Sequence, residues 1–258
     1  MSDILIDIKQ LTFSRGERVI YRDLNMQFAR GKVTAIMGPS GIGKTTLLRL
    51  IGGQLKPDSG EILFDKRDLC SVDYNGRKEI RKEVGMLFQA SALFDFRTVL
   101  GNVMFPLEMF SDMDKNEREE RAIACLKRVN IKEEAFKLSP AEISGGMQKR
   151  VAIARAIVNN PKYLFCDEPN SGLDPNTAIL IDNLIKEITE EYNITTVVNT
   201  HDMNSVMEIG DKILFLKNGV KAWEGTKEEI FRTDNEAVVD FVYSSELFKK
   251  VREAYLKE

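Results

Sequence analysis

Apolar and polar residues alternate with a period of about two in the first part of the chain. Short β-like segments at residues 4–8, 11–13, 18–21 and 24–28 are broken by polar turns at 14–17 and 29–31. Alternation of this kind, punctuated by glycine-containing turns, is typical of half-buried strands joined by hairpins. The N-terminal region is therefore predicted to form an antiparallel β layer.

Continuous apolar runs follow, and these are typical of buried strands. They predict strands at 33–37, 84–88, 161–167, 195–199 and 213–216, and a further strand at 61–64 after a turn at 56–60. Residues 217–220 are a hairpin turn signal. Helices are predicted at 44–51 and 179–192, and the pattern is helical from 98 to about 157, where the charged stretch 112–121 indicates a solvated helix face.

The chain is predicted to be one α/β domain of residues 1–258. We expect a core of residues 1–89 and 160–225, a helical subdomain at about 90–158 and a C-terminal helical extension at about 226–258. In the last helix, the apolar stripe predicted from Leu247, Val251, Ala254 and Tyr255 has two interpretations. It packs on its own domain, as most such stripes do, or it contacts a second subunit or an accessory cytosolic protein.

Composition and charge narrow the class of protein. The 258 residues are 43% hydrophobic and 30% charged, with a formal net charge of −3, so no nucleic-acid partner is expected. The sequence offers neither an apolar run of the roughly 18–20 residues that span a bilayer nor a secretory leader, which predicts a soluble, unexported chain. Cys70, Cys125 and Cys166 lack metal-ligand spacing and are predicted to be reduced thiols in the cytosol.

A glycine-rich loop between the strand at 33–37 and the helix at 44–51 has the spacing of a Walker A phosphate loop. Its glycines can turn successive backbone N–H groups toward a phosphate, at the positive end of a helix. Lys44 is predicted to reach the β- and γ-phosphates, and the Thr45 hydroxyl to ligate Mg²⁺. A Gly-rich turn without a ligand is the alternative. The predicted nucleotide contacts of the loop are Gly38, Pro39, Ser40, Gly41, Ile42, Gly43, Lys44, Thr45 and Thr46.

The strand at 163–167 ends in two carboxylates, which is the Walker B pattern. Asp167 is predicted to hold Mg²⁺, and Glu168 is placed where the general base for an attacking water belongs. Acidic residues at strand ends are common, so this pattern indicates a nucleotide site only because a phosphate loop precedes it in the same chain.

A third motif, Ser144-Gly145-Gly146-Met147, opens a predicted helix. Ser144 is a good N-cap, and the helix start is suited to a second anion contact, although a helix cap without a ligand is the simpler interpretation. Together with the Walker pair, the string resembles the LSGGQ signature of ATP-binding-cassette (ABC) ATPases.

The resemblance covers nearly the whole chain, because the motifs occur in the family's order. Gln89 matches the Q-loop, and residues 171–174 match the D-loop that ends in Asp174, which the resemblance implies as a further nucleotide contact. His201, the one histidine in the sequence, matches the switch histidine. A lone histidine is more often structural, so the position of His201 after a predicted strand carries this assignment.

The resemblance implies the P-loop NTPase ABC-ATPase fold, which has a RecA-like mixed sheet core, an N-terminal antiparallel layer and a helical subdomain. It also implies ATP and Mg²⁺ as cofactors, with Gln89 as a further metal ligand. In this family two copies pack head to tail, so each ATP lies between Lys44 of one copy and Ser144, Gly145 and Gly146 of the other. Glu168, His201 and Gln89 would form the catalytic group.

Within the family, the stretches 38–54, 89–94, 102–107 and 144–147 look most like those of Mla-type ATPases. Ile42 and Met147 differ from the residues that sugar, amino-acid and peptide transporters more often have at these positions. This implies a peripheral subunit on the cytoplasmic face of the inner membrane, bound to permease subunits, that energises phospholipid traffic with an MCE lipid-binding protein. The rival is a cassette ATPase that regulates a membrane complex without moving a solute, as in cell division.

One departure from the family's pattern concerns the contact with adenine. Arg15 stands where the family usually has the aromatic residue that stacks on adenine, so the base is predicted to stack on its guanidinium plane, while Phe13 faces the core.

After Gln89, the apolar side chains Leu93, Phe94 and Phe96 match the lining of the cleft that receives a permease helix in cassette transporters. Their burial under the helical subdomain is the alternative.

Overall fold

The computed structural model describes residues 3–243 and 246–255, in two sheets and surrounding helices. The strands are β1 (Ile4–Arg15), β2 (Arg18–Ala29), β3 (Val33–Met37), β4 (Ser59–Phe64), β5 (Arg67–Asp68), β6 (Val84–Leu87), β7 (Tyr163–Asp167), β8 (Thr195–Asn199), β9 (Lys212–Lys217) and β10 (Val220–Gly225). The helices are α1 (Lys44–Ile51), α2 (Tyr74–Lys82), α3 (Val99–Phe110), α4 (Lys115–Arg128), α5 (Gly145–Ile157), α6 (Pro175–Glu191), α7 (Met203–Ile209), α8 (Lys227–Arg232), α9 (Glu236–Val242) and α10 (Glu246–Tyr255).

The N-terminal strands form an antiparallel sheet in the order β2-β1-β4-β5. The predicted layer is confirmed, but its division into four short segments is wrong, because they join into β1 and β2 of 12 residues each. The pairing register shifts between Ile8 and Leu11, where Gln10 has φ 48°, and again between Leu11 and Phe13, where Asp23 of β2 has φ 50°. These bulges interrupt the apolar alternation without ending the strands.

The second sheet has the order β10-β9-β3-β8-β7-β6, and the strands from β9 to β6 are parallel. Every residue of β3, β7 and β8 is buried, which explains their continuous apolar sequence. Parallel strands end at one edge of the sheet, where ligands of open α/β sheets bind. The loops after Met37, Asp167 and Asn199 therefore start at the same edge.

The helical pattern predicted from 98 to about 157 is confirmed in α3, α4 and α5. The charged stretch belongs largely to α4, which Asp114 caps together with Glu117 in a capping box, and α4 buries Ala122, Cys125 and Leu126. These helices share one hydrophobic cluster with central-strand residues such as Leu164 of β7. The division of the chain into core, helical subdomain and extension stays a prediction.

The C-terminal extension packs on its own chain where its side chains are described. Phe248 and Val251 of α10 contact a cluster that includes Ile230, Phe231 and Val242. The side chains of the other predicted stripe residues, Leu247, Ala254 and Tyr255, lie outside the described residues. The three cysteines are free thiols, and none of the described helices is long and apolar enough to cross a membrane.

Candidate functional site

The glycine-rich loop joins the end of β3 to the start of α1, as its sequence predicts. Gly38, Gly41 and Gly43 have φ values of 147°, 76° and 114°, in the region that favours glycine. At Gly43 a Cβ atom would also lie 2.7 Å from the hydroxyl of Tyr21, so space as well as backbone conformation requires glycine there. The helix begins at Lys44, and its free N–H groups face the loop.

Lys44 is held inside this loop. Its side chain is 6% exposed, and its ammonium donates to the carbonyl oxygens of Gly38 at 2.9 Å and Pro39 at 3.3 Å. Burial lowers the pKa of Lys44, and the charges of Glu168 and Asp167 oppose this change. The ammonium therefore lies between the phosphate loop and the carboxylates that follow β7.

Thr45 and Asp167, the predicted metal ligands from two distant motifs, contact each other. The Thr45 hydroxyl donates to Asp167 Oδ1 at 3.0 Å, and the amide of Asn199 donates to the same oxygen at 3.2 Å. Asp167 is buried, so its carboxylate has a fixed orientation. A hydroxyl and a carboxylate oxygen fit Mg²⁺, which takes oxygen ligands and completes its shell with water and phosphate.

Glu168 and His201 form a pair beside this site. Nδ1 of His201 lies 3.0 Å from Oε2 of Glu168, and the other oxygen, Oε1, lies 4.0 Å from Nζ of Lys44. Glu168 has φ 47°, a left-handed conformation that costs a non-glycine residue of order 1–3 kcal/mol and is frequent at functional sites. The two residues line a cleft of about 680 Å³.

Gln89 lies two residues after the end of β6. Its amide nitrogen donates to the hydroxyl of Ser171 at 3.2 Å, which connects it to the segment after Glu168. The structure thus brings Gln89 to the predicted D-loop, and its contribution to metal binding stays a prediction.

The signature motif lines a second cleft, of about 660 Å³. Ser144 caps α5 as predicted, because its hydroxyl accepts from the N–H of Met147 at 3.3 Å. Asp174 caps α6 by accepting from the N–H of Thr177 at 3.1 Å. Gly146 approaches α6 closely, since a Cβ atom there would lie 2.8 Å from Thr177. Ser144, Gly145, Gly146 and Asp174 all line this cleft, whereas Glu168 and His201 line the first one.

Two buried cations of α5 were missed by sequence reasoning. The ammonium of Lys149 donates to the carbonyl oxygen of Gln89. The guanidinium of Arg155 donates to the carbonyl oxygens of Ser91 and Ala92, and both of these distances are 2.7 Å. Burial lowers the pKa of both groups. The sequence could have indicated their burial, because both residues lie within the apolar face of a predicted helix. They fix the segment that follows Gln89 against the signature helix.

That segment leads to an apolar cleft of about 350 Å³ beside β6. Phe94 is half-buried and packs edge-to-face on Phe105, with ring centroids 4.7 Å apart. Phe96 is 82% exposed, and Leu93 is half-buried against the main cluster. The predicted cluster of apolar side chains therefore divides into one exposed ring, one cleft-lining ring and one packed residue.

The residues discussed for the adenine contact lie in the β1–β2 hairpin. Phe13 is buried in the core, which confirms its predicted direction, and Arg15 is exposed at the turn, paired with Arg18. Stacking of adenine on Arg15 stays a prediction.

The chain is similar to known proteins over most of its length. A family model described as ABC transporter matches residues 21–171. The chain is 43% identical to the intermembrane phospholipid transport system ATP-binding protein MlaF of Haemophilus influenzae, over 100% of this chain and 99% of that one. It is also 43% identical to MlaF of Escherichia coli K12, over 80% and 77% of the two chains. Among solved structures, a dimeric post-hydrolysis state of an ATP-binding cassette bound to ADP and Pi has 36% identity and a TM-score of 0.79, over 86% of this chain and 98% of that one.

Proposed function

The chain belongs to the ABC transporter family and is an ATPase, and from this membership we propose that its ATP hydrolysis powers the transport of phospholipids. The observation that carries the proposal is the 43% identity to MlaF of Haemophilus influenzae, which extends over essentially the full length of both chains. The match includes the helices α8 to α10 as well as the nucleotide-binding motifs.

The proposed roles in hydrolysis follow from the contacts of each side chain. The loop around Lys44 binds the phosphates through backbone N–H groups and one ammonium, and Thr45 and Asp167 hold Mg²⁺ with help from Gln89. The metal, when bound, neutralises charge that develops on the phosphates. Glu168 accepts a proton from the attacking water, and His201 orients Glu168 and the γ-phosphate.

A head-to-tail homodimer is the proposed active form. The two clefts of one chain have different linings, with Glu168 and His201 in one and Ser144, Gly145 and Gly146 in the other. A helix N-terminus with two small residues is suited to contact a phosphate bound by a second copy. The dimeric arrangement of the similar cassette bound to ADP and Pi supports this proposal.

We further propose that the dimer binds permease subunits through the apolar cleft at Phe94, and so lies on the cytoplasmic face of the inner membrane. An MCE lipid-binding protein is the proposed partner of the complete system, and an accessory cytosolic subunit on the C-terminal helix is a further one. The cleft is lined by half-buried aromatic side chains, which suits a short amphipathic helix.

Affinity purification from membranes tests this function. We expect the tagged full-length chain to co-purify with a permease, an MCE protein and bound phospholipid, and the purified complex to move labelled phospholipid between vesicles in an ATP-dependent way. Glu168→Gln in the same complex is the control, because it should retain the partners but not the transport. A complex of cell-division proteins without phospholipid would contradict the proposal and favour the regulatory class of cassette ATPase.

A further inference from the structure

Asn199, the last residue of β8, carries a buried amide at the end of an apolar run. It is 0% exposed, and the two residues before it are Val197 and Val198, which are buried as well. The amide oxygen of Asn199 has no hydrogen-bond partner among the described residues. A buried polar atom without a partner costs free energy, because the hydration lost on folding is not replaced. Packing alone would favour an apolar side chain at this position, so the amide calls for another explanation.

The amide nitrogen of Asn199 contacts Asp167, one of the two proposed metal ligands. It donates to Oδ1 of Asp167 at 3.2 Å, and the hydroxyl of Thr45 donates to the same oxygen at 3.0 Å. The two donors belong to different elements, since Asn199 ends β8 and Thr45 lies in the first turn of α1. Two donors on one oxygen limit the rotation of the carboxylate, so Asp167 is oriented before any metal binds.

The main chain of Asn199 makes a second bond, to the residue after Asp167. Asp167 and Asn199 lie opposite each other in the parallel pairing of β7 and β8, and the carbonyl oxygen of Asn199 accepts from the N–H of Glu168 at 2.9 Å. Because this bond uses only backbone atoms, it does not depend on the side chain at position 199. A substitution there can therefore remove the bond to Asp167 and keep the one that holds Glu168.

Both side-chain bonds to Asp167 are compatible with a bound cation. The Thr45 hydroxyl, which donates its proton to the carboxylate, keeps its lone pairs for a metal. The NH₂ group of Asn199 is a donor only, so through this nitrogen it cannot ligate a metal and acts on one only by way of Asp167. Residues that hydrogen-bond a metal ligand orient it, and their loss typically lowers metal affinity about 10–100-fold.

We propose that Asn199 is a positioning residue of the nucleotide site, which holds the carboxylate of Asp167 in the orientation that binds Mg²⁺ and so sets how strongly the metal tightens the binding of ATP. The hydrogen bond from the amide is charge-assisted, because its acceptor is a carboxylate, and such bonds are roughly twice as strong as those between neutral groups. The inference rests on the proposed roles of Thr45 and Asp167 as metal ligands. It adds a residue that acts through Asp167.

The test compares nucleotide binding by the full-length chain with and without the metal. The Kd of a fluorescent ATP analogue is measured in EDTA and in saturating Mg²⁺, and the first value divided by the second is the metal-dependent gain. By linkage, this gain changes by the same factor as the affinity of the nucleotide-bound site for Mg²⁺. Asn199→Val removes the amide, so it should lower the gain about tenfold or more, while the Kd in EDTA changes less than about twofold.

An unchanged gain in Asn199→Val would overturn the inference. A merely structural asparagine would weaken binding in EDTA and in Mg²⁺ by the same factor, so that result would equally refute the positioning role. Asn199→Ala provides a second test if Asn199→Val does not fold, because it removes the amide without placing a branched side chain beside Asp167. The same loss of the gain is expected, and a gain kept in Asn199→Ala would contradict the proposal.

Thr195→Val is the matched control, since Thr195 is a fully buried polar residue at the other end of β8 whose hydroxyl has no hydrogen-bond partner among the described residues. It should leave the gain unchanged.

Asp167→Asn separates this inference from the proposed function. A gain lost in Asp167→Asn but kept in Asn199→Val refutes the positioning role alone, whereas a gain kept in Asp167→Asn refutes the proposed metal site itself. In the Asp167→Asn background, Asn199→Val should lower the gain no further, because the amide acts through that carboxylate. A further loss there would show that Asn199 acts by another route.

Discussion

Oε2 of Glu168 lies 3.0 Å from Nδ1 of His201, although the two residues follow different strands of the central sheet. The contact fixes one carboxylate oxygen on the histidine and leaves the other, Oε1, 4.0 Å from the Lys44 ammonium. A general base must be oriented toward its water by neighbours that hold it in place. The carboxylate of Glu168 therefore has its orientation determined by the histidine that follows β8.

Replacement of Glu168 by glutamine should leave MgATP binding intact and lower turnover by about 10²-fold or more, because the amide cannot accept the proton of the attacking water. Steady-state hydrolysis and equilibrium binding of a fluorescent ATP analogue measure the two effects. The variant should also accumulate as an ATP-bound dimer in light scattering. Turnover within about threefold of the unchanged protein would contradict the role of base.

His201→Ala should lower kcat more than it raises KM for ATP, because the histidine orients Glu168 and the γ-phosphate in the transition state instead of binding the nucleotide tightly. The loss should be about 10-fold or more, which corresponds to one removed hydrogen bond to a charged group. In the Glu168→Gln background, His201→Ala should have little additional effect, since the pair acts as a unit. Normal turnover in the single variant would make His201 a structural residue.

The sequence predicted those features of the site that are local in the chain. The phosphate loop, the caps of α5 and α6 and the apolar strands depend on residue types within a few positions of one another, so pattern and motif identify them. The order of the motifs then extended the prediction to the fold. The bulges at Gln10 and Asp23 were missed because a bulge interrupts the alternation in the same way as a turn does.

Contacts that depend on how elements pack were not predictable in this way. Asp182 lies in an amphipathic helix, where a carboxylate is normally solvated, and its burial follows from the packing of α6 on α7. Asn199 ends an apolar strand, which marks it as unusual, but its bond to Asp167 requires the parallel pairing of β7 and β8. The functional partners of such residues come from the tertiary structure.

Discrimination between ATP and GTP should be modest if adenine stacks on Arg15, because a guanidinium plane contacts the face of a base and offers no hydrogen bonds specific to its edge. Comparison of kcat/KM for the two nucleotides measures this. We expect a ratio below about 100, which corresponds to about 2.7 kcal/mol. Arg15→Ala should raise KM for both nucleotides by similar factors, whereas a ratio above about 100 in the unchanged protein would require a contact to the base edge.

Asp182→Asn should stabilise the folded protein at neutral pH. The folded pKa of Asp182 is raised from its ordinary value of 3.8 to about 6, so the folded state holds a proton that the unfolded state releases between these values. The ionised carboxylate therefore destabilises the fold increasingly as pH rises from about 4 to about 6, by up to about 3 kcal/mol above that range. The asparagine amide would itself be a buried polar group, and its desolvation offsets part of this gain.

Urea unfolding at several pH values measures the difference between the variant and the unchanged protein. The advantage of Asp182→Asn should be about 1–2 kcal/mol near pH 8 and should disappear below about pH 3, where the carboxyl is neutral in both the folded and the unfolded state. If the stability of the variant, relative to that of the unchanged protein, is lower at pH 8 than at pH 4, the carboxylate stabilises the fold instead.

Phe94→Asp should abolish co-purification with the permease while ATP binding at the phosphate loop survives. Phe94 lines the apolar cleft beside β6, and its ring packs on Phe105, so a carboxylate there would lose that contact and present a charge to any apolar helix that docks. Lys44 begins α1 after the loop that follows β3, and β3 is separated from β6 by β8 and β7 in the sheet. Pull-down from membranes and nucleotide binding by the soluble variant measure the two properties separately.

Val220→Asp is the matched control for this change, because Val220 is an apolar side chain, 43% exposed, on β10 at the opposite edge of the same sheet. It introduces the same charge on an exposed surface and should leave both the complex and ATP binding intact. A complex retained by Phe94→Asp would show that the permease docks elsewhere. Loss of the complex only in Phe94→Asp, with ATP binding kept, would instead assign the cleft beside β6 as the surface through which hydrolysis is coupled to the membrane.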